Sequence, residues 1–171
     1  MAAYTIKTSH IFDIYKNLRT STNELDQLVK INDQNRLLIW LNIVDSRLGN
    51  FIGECKNYQN KIPVTYVGKV CSLLCTTQNK ICILFSYHGV TGRNWEDSMG
   101  LIKKFYLAKE KTDERFCIID FNIKDFEEIA KGNNFLQIIE NKMLALKIDT
   151  DYSTFITEHE LTSKILMEQQ K

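Results

Sequence analysis

The sequence predicts an α/β protein with a mixed central sheet flanked by helices. Short apolar segments at 80–87 and 116–121 alternate with longer segments whose apolar residues recur at helical spacing. Another apolar segment, 51–56, follows a β-rich run at 37–44 closely enough to form an antiparallel hairpin. Strands that alternate with helices after a hairpin are typical of a sheet with helices packed on it.

The individual elements follow from local patterns. Residues 9–31 carry apolar side chains at helical spacing, interrupted at 20–23 where a second helix could be capped. Residues 37–44 and 51–56 are predicted strands joined by a turn at 46–50. Pro63 suits the first turn of a helix. The remaining predicted elements are a strand buried on both faces over 80–87, an amphipathic helix from about Trp95, a strand over 116–121, and helices over 123–130, over 134–146 and after 153.

Composition limits the class of protein. With 171 residues, 44% hydrophobic and 25% charged, the chain is expected to form one globular domain. We expect no membrane association, because no apolar run is long enough to cross a bilayer and no secretory signal is visible. Five cysteines without paired spacing predict a reducing, cytoplasmic location. The net charge of +1 requires that any DNA-binding surface be local.

Glu54 and Lys56 form the core of a candidate catalytic site. Residues two apart on a strand point to the same face, so these two side chains project together while Cys55 points away. A carboxylate can hold a hard divalent cation such as Mg²⁺, and a neighbouring lysine can orient or help deprotonate an attacking water. Hydrolysis of a phosphodiester requires these groups and a second acidic ligand.

The second ligand depends on the length of the turn before Glu54. A two-residue turn at Leu48-Gly49 places Asp45 on the face of Glu54 and Lys56, whereas a turn one residue longer places Asn42 opposite Glu54. Asn42 would bring a carbonyl oxygen but no charge, and it would bind Mg²⁺ more weakly. The sequence leaves both alternatives open.

The pattern Asp45…Glu54-x-Lys56 resembles the P-D…(D/E)-x-K signature of restriction-endonuclease-like nucleases. The longer string Gly-Glu-Cys-Lys-Asn-Tyr at 53–58 is similar to the version in Mrr-type restriction enzymes and Holliday-junction resolvase-like domains. The resemblance covers roughly residues 20–121, and it implies an αβββαβ core with a C-terminal helical extension over about 122–171. Val44 stands where the family has proline, and the family's first acid more often falls nearer Asn42.

The resemblance implies roles for individual residues. Glu54 and the backbone carbonyl of Cys55 would be metal ligands, Lys56 would orient the water, and Asp45 would be the first acid. Some relatives also use a glutamate on the N-terminal helix, and Glu24 is the acid that would match it. The implied cofactor is Mg²⁺, with Mn²⁺ as a substitute.

We therefore expect a metal-dependent endonuclease that acts on DNA, in defence against foreign DNA or in recombination and repair. Lys61, Lys69 and Arg93, together with Lys56, would follow the DNA backbone. The alternative is a non-catalytic nucleic-acid-binding or scaffolding domain of the same fold. The cause of the lost activity would be Asn42 in place of an acid. Double-strand cleavage usually implies a homodimer or larger assembly, although the sequence has no evident interface signal.

Overall fold

The computed structural model describes residues 1–19, 24–92 and 97–149. Its centre is a five-stranded sheet in which the strands lie side by side in chain order. The strands β1 and β2 are antiparallel, as are β2 and β3, whereas β3, β4 and β5 run parallel. The strands are β1 (Phe12–Arg19), β2 (Glu24–Ile31), β3 (Asn50–Lys56), β4 (Ile81–Ser86) and β5 (Cys117–Phe121).

Helices cover both faces of this sheet, so the predicted fold class is confirmed. One apolar cluster joins Ile6 of α1 and Ile139 of α6 to one face. A second cluster joins Val67 of α3 and Ile102 of α4 to the other face. The α-helices of the described residues are α1 (Ala2–Thr8), α2 (Arg36–Trp40), α3 (Val64–Thr77), α4 (Ser98–Leu107), α5 (Ile123–Ala130) and α6 (Phe135–Ile148).

The helical prediction for 9–31 is wrong, because this segment contributes the hairpin strands β1 and β2. Along β2, every second side chain is buried: Leu25, Gln27, Val29 and Ile31. This period of two is the pattern of a strand with one face against the core. Residues 20–23, where a helix cap was expected, lie outside the described residues.

The predicted strand at 37–44 is also wrong. The short helix α2 occupies its first part, and Trp40 is 85% exposed. The physical reason is that β2 pairs with β3, through contacts such as Leu28 with Ile52. The position beside β3 that the apolar run 37–44 would have needed is therefore already taken.

Among the described residues from 50 onward, the predicted elements agree with the structure. The strands at 51–56, 80–87 and 116–121 correspond to β3, β4 and β5, and every residue of β4 is buried. Pro63 is the N-cap of α3, and the helices α5 and α6 occur where the periodicity indicated. The helix expected from Trp95 begins at Ser98, and Trp95 itself lies outside the described residues, as does the helix predicted after 153. None of the described helices is long and apolar enough to cross a membrane.

Candidate active site

Two acids face each other where the strands β2 and β3 separate. The regular pairing of the two strands ends with Gln27 opposite Gly53, and the same register places Asp26 opposite Glu54. Beyond this pair, the two strands are joined by hydrogen bonds from backbone amides to side-chain oxygens. The Glu54 Oε1 atom accepts a hydrogen bond from the Asp26 amide at 3.3 Å, and the Asp26 Oδ2 atom accepts one from the Cys55 amide at 2.9 Å. Each acid therefore satisfies an amide of the opposite strand.

Lys56 joins the two acids. Its Nζ atom lies 3.0 Å from Asp26 Oδ2 and 3.1 Å from Glu54 Oε2. Glu54 and Lys56 lie on the same face of β3, as the alternation predicted. Glu54 is buried at 4% exposure, so its charge is compensated by these contacts rather than by bulk water. The result is a compact group of two carboxylates and one ammonium at the end of β3.

Tyr66 of α3 completes this group from above the sheet. Its hydroxyl donates a hydrogen bond of 2.6 Å to Glu54 Oε2, and Lys56 Nζ lies 5.1 Å from its ring centroid. Burial and the bond to Glu54 raise the pKa of the Tyr66 hydroxyl, so it stays a donor at neutral pH. Burial alone would lower the pKa of Lys56, but its contacts with Tyr66, Asp26 and Glu54 raise it above the ordinary value.

The absence of a side chain at Gly53 leaves room for the Gln27 and Phe85 side chains on the face of the sheet opposite the acids. A Cβ atom there would lie 3.2 Å from Gln27 Oε1 and 3.5 Å from the Phe85 ring. Gln27 itself is 7% exposed, and its Nε2 atom lies 3.4 Å from Cys55 Sγ. Gln27 and Phe85 thus fill the face opposite the acids.

The structure does not bring Asp45 to Glu54. Asp45 precedes a 3₁₀ turn (Ser46–Gly49) that leads into the start of β3, whereas Glu54 is near the end of that strand. The four residue steps from Asn50 to Glu54 alone span about 13 Å. Asp45 instead forms a salt bridge with Arg47, in which Arg47 Nη2 lies 2.7 Å from Asp45 Oδ2. Its contacts are those of a structural residue at the far end of β3.

Asn42 and Glu24 also lie away from the position predicted for them. Asn42 follows α2 with a left-handed backbone (φ 55°), and it is not opposite Glu54 because Asp26 takes that position. Glu24 begins β2 instead of belonging to an N-terminal helix, and its exposed carboxylate lies 3.6 Å from Arg19. The open choice between Asp45 and Asn42 therefore arose from pairing β3 with the wrong segment.

The other predicted residues have simpler positions. Cys55 lies between Glu54 and Lys56 on β3, and its backbone amide donates a hydrogen bond to Asp26 Oδ2. Lys61 follows β3 and Lys69 lies on α3, both exposed on the surface. Arg93 lies outside the described residues.

Sequence reasoning missed Asp26 and Tyr66. The signal for Asp26 was the alternation Leu25, Val29, Ile31 around it, which indicates a strand whose other face carries Asp26. Tyr66 lies three residues after Pro63, within the first turns of α3. That position faces the end of β3 when the helix returns over the sheet, but the sequence alone does not specify this packing.

The donor set at this edge suits a hard divalent cation. Two carboxylates that contact a common ammonium nitrogen are close enough to share one cation, and Mg²⁺ commonly takes one or two carboxylates plus waters and substrate phosphate oxygens. In the part of the chain that the structure describes, no group of three or more His, Cys, Asp or Glu side chains could hold a metal ion. The remaining ligands would have to be oxygen atoms of the backbone, water or substrate.

Comparison of the chain with protein-family models, with curated proteins and with solved structures finds no match. The geometry of the site and the resemblance of its sequence pattern are the indications of function that this chain offers.

Proposed function

We propose that the protein is a Mg²⁺-dependent endonuclease that hydrolyses phosphodiester bonds of DNA, with Mn²⁺ as a substitute cation. The observation that carries the proposal is the meeting of Asp26, Glu54 and Lys56 at one sheet edge, with both carboxylates within 3.1 Å of the Lys56 nitrogen. Two acids and a lysine are the protein groups that cation-assisted hydrolysis of a phosphodiester requires.

The order of elements supports the resemblance to restriction-endonuclease-like nucleases. From α1 to β4 the chain forms a helix, three strands, a helix and a strand, with the short α2 inserted between β2 and β3. This is the αβββαβ order of that class. Asp26 on β2 would take the role of first acid, for which the sequence pattern had indicated Asp45 or Asn42. A charged first acid removes the reason for expecting an inactive domain.

Each residue has a defined part in the proposed reaction. Asp26, Glu54 and the carbonyl of Cys55 would hold the cation, which when bound neutralises charge on the scissile phosphate and activates water. The Lys56 ammonium would orient the attacking water by hydrogen bonding and stabilise the developing negative charge. Tyr66 is a positioning residue, because its 2.6 Å bond to Glu54 fixes how that carboxylate is turned.

The test is a cleavage assay on duplex, branched and single-stranded DNA with Mg²⁺ or Mn²⁺. The variants Asp26→Asn, Glu54→Gln and Lys56→Met should each lower the rate by about a hundredfold or more, since each removes a group that stabilises the transition state. Glu24→Gln is the matched control, because it makes the same chemical change on the same strand at an exposed side chain. It should cut like the parent.

A titration with Mn²⁺ followed by calorimetry tests the cation site independently of cleavage. The parent should bind the cation, and Asp26→Asn should bind it at least about tenfold more weakly. Failure of the parent to cut any of the three substrates with either cation would refute the enzyme assignment. Binding of DNA without cleavage would instead identify a non-catalytic DNA-binding domain.

A further inference from the structure

Two neighbouring loops follow the ends of β3 and β4 beside the proposed active site. The strands β3 and β4 leave the sheet together, with Lys56 paired to Ser86, and their continuations pair again at the bridge between Ile62 and Val90. The Ile62 amide donates to the Gly89 carbonyl at 2.8 Å. We call 57–61 the β3 loop and 87–89 the β4 loop. Because they are joined at both ends, the two loops form one continuous rim beside Glu54 and Lys56.

The β4 loop is held in a fixed shape. The Gly89 amide donates to the Ser86 hydroxyl at 2.9 Å. Gly89 has a left-handed backbone (φ 72°), and a Cβ atom there would lie 2.8 Å from Asp120 Oδ2, so the turn is packed against β5. Within this loop Tyr87 and His88 are exposed, with ring centroids 4.8 Å apart in an edge-to-face arrangement. The loop therefore presents an aromatic pair to solvent on a rigid support.

The β3 loop presents a second aromatic ring, connected to the catalytic group. Tyr58 is 43% exposed and packs edge-to-face on Tyr66, with centroids 6.1 Å apart. Tyr66 in turn bonds Glu54. One ring therefore separates Tyr58 from the acid that would hold the cation. The exposed Tyr58 and Tyr87 belong to neighbouring loops on the same rim.

We propose that the substrate reaches this site as single-stranded or locally unpaired DNA, whose bases stack on Tyr58 and Tyr87. This inference rests on the proposed endonuclease function and names its substrate class. Aromatic side chains bind single strands because the flat face of every base is available for stacking once the base is unpaired. In a duplex those faces are covered by neighbouring base pairs, and only base edges are presented in the grooves.

The charge of the protein agrees with this mode of binding. A duplex-binding surface draws most of its affinity from many phosphate contacts. Here the net charge of the chain is +1, and Lys56, which belongs to the site, is engaged with both acids. The β3 loop and the following helix contribute the exposed Lys61 and Lys69. Stacking on Tyr58 and Tyr87 would add to the phosphate contacts that Lys61 and Lys69 can make.

The experiment measures binding of the full chain to fluorescein-labelled 20-nucleotide DNA, single-stranded or duplex, by anisotropy at one salt concentration with Ca²⁺. We expect the parent to prefer the single strand by about tenfold or more, and Tyr58→Leu and Tyr87→Leu each to weaken single-strand binding by about tenfold. Tyr58→Phe keeps the ring and should bind within about twofold of the parent. Trp40→Leu is the control, because Trp40 is 85% exposed on α2, which precedes the start of β3, whereas the site lies at the end of that strand.

Cleavage of single-stranded DNA should fall in Tyr58→Leu and Tyr87→Leu, while the melting temperatures of these two variants stay near that of the parent. Equal affinity for duplex and single strand, or leucine variants that bind like the parent, would overturn the stacking proposal and leave the endonuclease assignment intact. Cation-dependent cleavage confined to duplex DNA would have the same meaning. A parent protein that neither binds nor cuts any DNA would refute the proposed function itself. Tyr87→Leu is informative even if Tyr58→Leu disturbs Tyr66, because Tyr87 lies on the other loop.

Discussion

The Asp45–Arg47 pair should contribute to stability without taking part in cleavage, and the substitution Asp45→Asn tests this. The Arg47 side chain is 8% exposed, and its Nε and Nη2 atoms donate hydrogen bonds to the two Asp45 oxygens at 3.0 and 2.7 Å. Asparagine keeps the shape but offers one acceptor oxygen instead of two. The variant therefore loses a hydrogen bond between charged groups, which contributes about 1.5–3 kcal/mol.

Arg47 keeps other partners in this variant, which limits the loss. Its Nη1 atom still donates a hydrogen bond to the Thr112 carbonyl at 3.0 Å. We therefore expect a destabilisation of about 2 kcal/mol, equivalent to a fall in melting temperature of about 4–8 °C for a chain of this size. Thermal unfolding followed by circular dichroism at pH 7 measures the difference.

The pH dependence of this difference has a defined sign. Burial raises the pKa of Asp45, but the hydrogen bonds and charge of Arg47 outweigh it and hold the pKa below its usual value. The pair therefore contributes its full stability above the unfolded pKa of about 4 and loses it as the pH falls through the lower folded value. The gap between parent and Asp45→Asn should narrow below about pH 4. An unchanged melting temperature combined with loss of cleavage would refute this account and restore Asp45 as a catalytic acid.

Two further predictions concern packing beside the site and the buried ion pair that follows the C-terminal end of β5. Gly53→Ala should destabilise the fold by about 1–2 kcal/mol, because its Cβ would press on the buried Gln27 at 3.2 Å. Gly68→Ala, in α3 with nothing within 4 Å, should instead stabilise by about 0.5–1 kcal/mol, and urea unfolding of both variants measures the contrast. Lys142→Met should destabilise by about 3 kcal/mol, since Asp125 is 1% exposed and loses its 2.8 Å partner. The double variant with Asp125→Asn should recover part of that loss, and strict additivity would argue against a direct interaction.

The part of the fold that begins at β3 could be predicted because each element there has one dominant pattern. The strand β4 is apolar throughout and buried on both faces, and α5 begins with a capping box formed by Asn122 and Asp125. Glu54 and Lys56 could be placed together for the same reason, since alternation on β3 alone decides their face.

The strand β2 was mistaken for a helix because one buried position is polar. Leu25, Leu28 and Val29 fit helical spacing, and the alternation that marks a strand requires Gln27 to count as an interior residue. Gln27 is buried because its amide lies against Cys55 across the sheet, a long-range contact that the sequence does not reveal. The same error concealed Asp26, so the partner of Glu54 was sought in the wrong segment.

The reciprocal bonds of Asp26 and Glu54 make the proposed cation site part of the seam between β2 and β3. The oxygens that would bind a cation also accept hydrogen bonds from the Asp26 and Cys55 amides. A ligand that draws electron density from those oxygens, or turns them away, would weaken the protection of these two amides against solvent. Hydrogen–deuterium exchange at the amides of Asp26 and Cys55 would therefore report cation binding through the backbone, with Asp45 too remote to respond.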